Sequence, residues 1–303
     1  MSKELAVYTT VYPGVERFLS PWYESLLAQT DDDFDLYIGT DQVEPRAVLC
    51  AVGHEFDAVW VAARTHSTPA SVRQAGIDHI LASANRYQGI VFVDCDDVMH
   101  PTRVESARSQ LQNSDVAGCA MEIMKEDNQP TGLFFGPVSP AAIPQMLATA
   151  NVFGMSNTAY RTDVLREIPP SPPQCRLMDW FIATAAWVRG ARFAFDNTPR
   201  MKYRQYGHNV ARVLPPFTTE DICLATALVL DHYQLVLSRI PGMSDGIRGQ
   251  LESARADVQS FSSRVAEIFD VCERYVQRLN ELPASHIWWD CVAHSALEYQ
   301  WKS

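Results

Sequence analysis

One short segment constrains the fold of this 303-residue chain more than any other. Residues Gly89 to Val93 form an apolar run that leads directly into Asp94-Cys95-Asp96-Asp97. A short strand that is apolar on both faces is typical of the buried interior of a parallel sheet. Ligands of such sheets bind at the carboxyl ends of the strands. The sequence therefore predicts a functional site at the acidic run.

The segments around this strand alternate between strand and helix patterns. The predicted strands are 5–11, 34–39, 59–63 and 191–195, and the predicted helices are 15–29, 71–84 and 178–189. Such alternation predicts an α/β fold, with a Rossmann-like, mostly parallel central sheet flanked by helices. Residues 1–214 are predicted to form this domain.

The remaining residues, 215–303, are predicted to form an all-helical C-terminal region. Thr218 and Asp221 have the spacing of a helix-capping pair. Apolar residues from 247 to 279 then recur at alternating intervals of four and three, which is a heptad seam. An unbroken helix there would be about 50 Å long. The seam allows either a helical hairpin packed on the first domain or a homodimer contact, and 285–301 reads as one more amphipathic helix.

Composition narrows the possible partners and location. The formal charge is −11 and the sequence contains no Lys/Arg run, so duplex DNA or RNA is not expected as a main partner. The seven cysteines are far apart and include no C-x-x-C pair, which indicates reduced thiols. Neither a signal peptide nor an apolar run of about 20 residues is present. These features predict a cytoplasmic protein, with peripheral contact at the inner face of a membrane left open.

The acidic run has a specific chemical interpretation. Clustered carboxylates at the end of a buried strand repel one another unless a cation compensates their charge. Oxygen ligands of this kind suit Mg²⁺ or Mn²⁺, which also bind phosphate oxygens. The alternative is that the aspartates cap the helix after Pro101, but three in four positions are more than a cap requires.

At this point the chain resembles the family 2 glycosyltransferases, which have the GT-A fold. Val93 to Pro101 matches their D-x-D-D motif, including the apolar residue and the proline that follow it. Ser25 to Thr30, Ser71 to Gly76, Asn157 to Arg161 and Tyr203 to Asn209 are similar to later family elements in the same order. The resemblance covers residues 5–212. It departs from the family where Met178 precedes Asp179, a position that is often glutamate.

The resemblance implies a role for each matching residue. Nucleotide-sugar binding is implied for Thr10, Tyr12, Asp41, Arg73, Asp94 and Asp96. Asp96 would also hold the metal, with His208 as a further ligand or as a structural residue, and Asp97 would cap the next helix or support the site. Asp179 would be the general base of an inverting transfer, although an aspartate at a helix N-terminus can also be a simple cap.

The implied substrate is a nucleoside diphosphate sugar, with a UDP-sugar favoured, and the acceptor would be a glycan, a lipid-linked sugar or a small molecule. A sugar nucleotidylyltransferase would need a glycine-rich loop after the first strand. The segment Thr9 to Phe18 contains only Gly14, which disfavours that class. A non-catalytic nucleotide-sugar-binding or scaffolding protein, dimerising through the C-terminal helices, is the second interpretation.

Overall fold

A computed structural model describes residues 3–63, 67–136, 138–207, 209–283 and 287–302. The strands are β1 (Leu5–Val11), β2 (Phe34–Thr40), β3 (Val59–Ala62), β4 (Gly89–Phe92), β5 (Val98–Met99), β6 (Val116–Lys125), β7 (Pro130–Phe135), β8 (Thr158–Arg161) and β9 (Phe193–Gln205).

The helices alternate with these strands in the first half of the chain and dominate the end. They are α1 (Glu16–Leu27), α2 (Pro45–Val52), α3 (Pro69–Ala82), α4 (Arg103–Leu111), α5 (Ile143–Leu147), α6 (Thr162–Glu167), α7 (Met178–Val188), α8 (Thr219–Arg239), α9 (Asp245–Phe261) and α10 (Phe269–Glu281). Short 3₁₀ helices span Pro140–Ala142 and Ser295–Gln300, and a π-helical turn spans Ser262–Ala266.

One central sheet organises the molecule, in the order β3-β2-β1-β4-β8-β6-β9-β5, with β7 paired to β6. The first four strands are parallel, as predicted from their alternation with helices. Beyond β4 the sheet is mixed, because β8 runs antiparallel to both β4 and β6, whereas β9 is parallel to β6. The loop after β4 therefore lies near the middle of the sheet, where the all-parallel half meets the mixed half.

Helix α3 lies unusually close to the sheet. The hydroxyl of buried Tyr8 on β1 donates a hydrogen bond to the Val72 carbonyl of α3, at 3.2 Å. A Cβ atom at Gly76 would lie 2.1 Å from the Tyr8 hydroxyl oxygen, and one at Gly39 would lie 2.6 Å away. Both positions must therefore lack a side chain, and this close contact fixes α3, and Arg73 on it, over the carboxyl end of β1.

The last strand is longer than its sequence pattern indicates. The predicted strand 191–195 stops before the polar residues Asn197 and Thr198, which resemble a turn. In the structure β9 continues to Gln205, and its register against β6 shifts beside Cys119 and Ala120. The register shift leaves Asn197 and Thr198 without partners on β6, and pairing resumes at Pro199. The continued strand brings Tyr203 to the carboxyl end of β4.

The C-terminal region is helical between residues 219 and 281, but its heptad seam is not one continuous helix. Thr218 and Asp221 form the predicted capping box of α8. Helix α9 ends at Phe261, and α10 begins at Phe269 after the π-helical turn. The seam residues Leu251, Phe261 and Tyr275 are buried within the chain, and the rings of Phe261 and Tyr275 meet at 4.8 Å between centroids. Packing of these helices on the first domain as a hairpin stays a prediction.

Two other predictions for this region have different outcomes. A homodimer through 247–279 stays a prediction, and it would have to use exposed apolar residues such as Ile268 and Phe269, because most of the seam is covered. The domain boundary at 214/215 also stays a prediction. No helix of the described residues is both long enough and apolar enough to span a membrane.

The amphipathic helix predicted for 285–301 is wrong in the described part, 287–302. Trp288 instead forms a β-bridge with Asn151, and the next helical segment is only the 3₁₀ turn Ser295–Gln300. Trp289 and Ala293 have left-handed backbone conformations, with φ of 74° and 51°. Burial of Trp288 against the sheet domain replaces the helical contacts that the apolar pattern suggested.

Candidate active site

The acidic run forms the loop that follows β4 at the carboxyl end of the parallel strands. Carboxylate oxygens of Asp94, Asp96 and Asp97 lie within 4.8 Å of one another. The Asp97 amide donates to the Asp94 carbonyl at 3.1 Å, and the Asp94 amide donates to the Ser156 hydroxyl at 3.2 Å. The loop is therefore held both by its own backbone and by the segment before β8.

Asp97 ties this loop to Ser156 and Arg204 and does not cap the following helix. One carboxylate oxygen accepts a hydrogen bond from the Ser156 hydroxyl, and the other accepts the Arg204 amide at 2.7 Å. Burial, together with the charges of Asp96 and Asp94, raises the pKa of Asp97 well above its usual range. The expected capping role is wrong, because α4 begins only at Arg103, six residues later.

Asp96 is the carboxylate on which two phenols converge. The hydroxyls of Tyr206 and Tyr12 both donate to its Oδ2 atom, at 2.7 and 3.4 Å, and lie 3.3 Å from each other. Burial and the Asp96 charge raise the pKa of both phenols, so each remains a hydrogen-bond donor at neutral pH. These contacts orient Asp96 towards the segment after β9.

Asp94 is paired with an arginine from α3. Its Oδ1 atom lies 3.4 Å from a guanidinium nitrogen of Arg73, and both side chains are about one quarter exposed. Burial raises the pKa of Asp94 to about 6, and the charges of Asp96 and Asp179 act in the same direction, against the lowering effect of Arg73. Arg73 compensates the charge of only one carboxylate, so the loop keeps an excess of negative charge.

The carboxylates fit a divalent cation by chemistry as well as by spacing. Their oxygens are the ligands that Mg²⁺ and Mn²⁺ prefer, and burial together with the neighbouring carboxylates raises the pKa of Asp94 and of Asp97. A bound cation would offset this cost by favouring the ionised forms. Asp97 has both oxygens engaged by Ser156 and Arg204. The residues best suited to ligation are therefore Asp96 and Asp94.

Asp179 is the second residue of α7 and faces the same space. Its Oδ1 atom accepts a hydrogen bond from the Trp180 amide at 2.8 Å, and its Oδ2 atom accepts one from the Asn151 carboxamide at 3.0 Å. Burial raises its pKa, while the Trp180 amide and the charge of Arg73 oppose the rise. Asp179 bonds an amide at its own helix end, as a cap would, but it also lines a cavity.

That cavity, with about 160 Å³ of water-accessible space, brings most of the predicted residues together. Its wall includes Tyr12, Arg73, Asp94, Asp96 and Asp179. Thr10 lines a small adjoining hollow whose wall also includes Arg73 and Asp94. Asp41 is elsewhere: it lies at the end of β2, where its amide donates to the Val11 carbonyl, and is not among the described residues of the cavity wall. His208 lies outside the described residues.

Several residues of the site were not predicted from the sequence. Ser156, Asn151 and Tyr206 contact the aspartates directly, and Trp288 and Trp289 form part of the wall. A serine or asparagine in an irregular segment carries no sequence signal that ties it to a distant carboxylate. Tyr206 was within the recognised segment 203–209, but without an assigned role.

Arg204 is structural. Its Nε atom donates to the Asp96 carbonyl at 2.6 Å, another guanidinium nitrogen donates to the Glu126 carbonyl at 2.8 Å, and the guanidinium lies 4.5 Å from the Phe18 ring centroid. The side chain is 1% exposed. These contacts show that Arg204 fixes the acidic loop.

Comparison with known proteins gives structural neighbours only: no family model matches the chain, and no curated protein matches it. TarS 1–349 of S. aureus, in complex with UDP-GlcNAc, is 16% identical with a TM-score of 0.54 over 99% of this chain and 93% of that one. TarS 1–349 in another crystal structure is 13% identical, with a TM-score of 0.55 over 86% and 73%.

A third structural neighbour is a mannosyltransferase. The mannosyltransferase PcManGT of Pyrobaculum calidifontis, in complex with GDP-Man and Mn²⁺, is 11% identical with a TM-score of 0.54 over 99% of this chain and 88% of that one. At these identities the likeness shows the fold. The protein has the GT-A fold, with its C-terminal helices in addition.

Proposed function

We propose that the protein transfers a sugar from a nucleoside diphosphate sugar to an acceptor hydroxyl, with inversion at the anomeric carbon. One observation carries the proposal. Asp96, at the end of a central parallel strand, and Asp179, at the start of α7, line one cavity. An acidic cation site and a separate carboxylate facing the same space are the two components that an inverting transfer needs.

Asp179 is proposed as the general base. It would take the proton of the acceptor hydroxyl as that oxygen bonds to the anomeric carbon and the bond to the diphosphate breaks. Its pKa is raised by burial but opposed by two hydrogen-bond donors and Arg73. A carboxylate kept ionised in a buried site is a stronger base than one in water, which suits this role.

Asp96, with Asp94, is proposed to hold Mn²⁺ or Mg²⁺. The cation, when bound, would neutralise the diphosphate as it departs. His208 is kept as a proposed further ligand. The presence of Mn²⁺ in the PcManGT complex supports a divalent metal, and the all-oxygen character of the cluster favours the same two ions.

The donor is proposed to bind across β1 and α3. Arg73 would contact the diphosphate, and the position of its guanidinium beside Asp94 at the cavity wall supports this role. Thr10 and Tyr12 would line the nucleotide pocket, and Asp41 would contact the base from the end of β2. A UDP-sugar is favoured because TarS was crystallised with UDP-GlcNAc and with UDP. The GDP-Man complex of PcManGT makes GDP-sugars the alternative.

The direct test is release of nucleoside diphosphate. Wild-type protein, Asp179→Asn and Asp96→Ala are incubated with UDP-GlcNAc, UDP-glucose and GDP-mannose, with Mn²⁺ or EDTA and a panel of glycoside acceptors. Metal-dependent, acceptor-stimulated release by the wild type alone would support the transferase. Nucleotide-sugar binding without release by the wild type would favour the non-catalytic binding protein.

A further inference from the structure

Asn151, between α5 and β8, is a fully buried residue that links Asp179 to the rest of the fold. Its Nδ2 atom donates to Asp179 Oδ2 at 3.0 Å and to the Phe153 carbonyl at 3.2 Å. Its Oδ1 atom accepts the Phe153 amide at 3.0 Å. Because that amide can only donate, the carboxamide orientation is determined, and the NH₂ group must face Asp179.

The backbone of Asn151 is paired with the C-terminal segment. The Asn151 amide donates to the Trp288 carbonyl at 3.4 Å in an isolated antiparallel bridge. The Trp288 ring packs on Phe135, at 3.9 Å between centroids, and meets Tyr203 edge-on. A Cβ atom at Gly154 would lie 2.4 Å from this ring, so Trp288 occupies its place only because residue 154 has no side chain.

We propose that Asn151 is a positioning residue for Asp179. The β-bridge with Trp288 holds the backbone of Asn151 where its carboxamide can donate to Asp179. The proposal rests on the proposed function, in which Asp179 is the base. The Asn151 and Trp180 hydrogen bonds together engage both carboxylate oxygens and fix the plane of the carboxylate. Donors to an ionised carboxylate favour that form, so the same contact orients the base and keeps it available for a proton. The C-terminal segment is thereby part of the catalytic apparatus.

Among the described residues, four other titratable groups interact electrostatically with Asp179 from the elements around it. They are Arg73 on α3, Asp94 after β4, Tyr160 on β8 and Cys175 in the loop before α7. Substitution of Asn151 leaves these groups in the sequence. A change in Asp179 titration therefore reports on the lost hydrogen bond, provided that a control substitution of similar burial has no such effect.

Asn157 supplies the matched control. It is also fully buried, and its carboxamide donates to the Cys119 and Val152 carbonyls and accepts the Gly154 amide, but it makes no hydrogen bond to Asp179. Aspartate-selective ¹³C labelling would follow the Asp179 carboxyl through a pH titration, with Asp179→Asn assigning the signal. The variants are Asn151→Ala, Asn157→Ala and Gly154→Ala, the last of which displaces the Trp288 ring.

We expect Asn151→Ala to raise the Asp179 pKa by about one unit, which corresponds to the loss of one charge-assisted hydrogen bond. Asn157→Ala should leave it unchanged. In the transfer assay Asn151→Ala should lower kcat by about 10- to 100-fold, move the acidic limb of the pH profile upward and leave donor affinity intact. Gly154→Ala should also lower kcat, because the new Cβ displaces the Trp288 ring.

Equal Asp179 titration in Asn151→Ala and wild type would overturn the proposal and make Asn151 a structural residue. If Asn151→Ala does not fold, Asn151→Ser and Gly154→Ala provide the same comparison. The titration uses no donor and so is independent of the transfer assay. If Asp179→Asn transfers as fast as wild type, the base assignment fails, and with it the catalytic part of this proposal.

Discussion

The two sides of the candidate site are built in opposite ways. The metal side consists of consecutive residues, Asp94 to Asp97, at the end of one strand, with supports from Ser156 and Arg204. The base side is assembled from three distant segments: Asp179 on α7, Asn151 before β8 and Trp288 near the C-terminus. A contiguous motif can be recognised in a sequence on its own. Asp179 was indicated only by the family resemblance, and its contacts with Asn151 and Trp180 were not predicted.

The difference also has a functional meaning. The proposed metal side belongs to the strand-and-loop part of the GT-A fold. The proposed base side includes Asn151, which forms a β-bridge with Trp288 in a C-terminal segment outside the residues that resemble family 2. Substitutions on the metal side should therefore act on donor binding, and those on the base side should act on turnover. The following predictions test that separation.

The largest effect is expected from Asp96→Ala. The substitution removes the carboxylate best suited to the cation, so metal-dependent nucleotide binding should be abolished, with no calorimetric heat for UDP or GDP in the presence of Mn²⁺. Asp127→Ala, at an exposed turn, is the control and should bind as wild type. Unchanged Mn²⁺ dependence in Asp96→Ala would remove Asp96 from the metal site.

Asp179→Asn should affect turnover without affecting binding. Loss of the general base should reduce kcat by about 10²- to 10⁴-fold, because that is the usual contribution of such catalysis. The donor dissociation constant, measured by calorimetry, should stay within about twofold of wild type. If this variant turns over as fast as wild type, Asp179 is only a helix cap and its assignment as the general base is wrong.

The third prediction concerns pH and stability in the absence of metal. Because the pKa of Asp94 is raised from 3.8 to about 6, the folded state keeps a proton that the unfolded state releases between these values. The contribution of Asp94 to the free energy of unfolding therefore falls as pH rises from about 4 to 6. Asp94→Asn should gain roughly 1–3 kcal/mol relative to wild type between pH 4 and 7.

Urea unfolding of both proteins in EDTA at several pH values would measure this difference. Added Mn²⁺ should stabilise the wild type above pH 6, where Asp94 is ionised, more than it stabilises Asp94→Asn. A stability difference that is constant with pH would show that the pKa of Asp94 is the same in the folded and unfolded states, against this prediction.

The smallest effect is expected outside both sides of the site. Thr218→Ala removes the capping box of α8 and should lower the free energy of unfolding by about 1 kcal/mol. Donor affinity and kcat should be unchanged at temperatures well below the melting midpoint. A loss of kcat without a loss of donor affinity would show that α8 affects Asp179, and would contradict the expectation that α8 contributes only to stability.

The strand-and-helix frame and the metal side were predictable because their signals are local. The apolar strand 89–93 and the acidic residues after it are adjacent in sequence. The capping box of α8 is formed by Thr218 and Asp221, which are only three positions apart. The extension of β9 was not predictable, since its polar residues 196–198 resemble a turn and only pairing with β6 and β5 keeps the strand extended.

The base side shows the same limit more clearly. Nothing in the local pattern around Asn151 or Gly154 indicates that a tryptophan more than 130 residues later packs against them. The apolar residues near 288 instead suggested a helix. Their true partners are the β-sheet residues Phe135 and Tyr203, and such contacts become visible only in the folded chain.

The most direct test of the account is calorimetric titration of the wild-type protein with UDP, GDP, dTDP and CMP, each with Mn²⁺ and with EDTA. The account predicts binding of one nucleoside diphosphate, UDP before GDP, that requires Mn²⁺ and disappears in Asp96→Ala. Absence of binding to all four at millimolar concentration, or binding that is the same with Mn²⁺ and with EDTA, would contradict it.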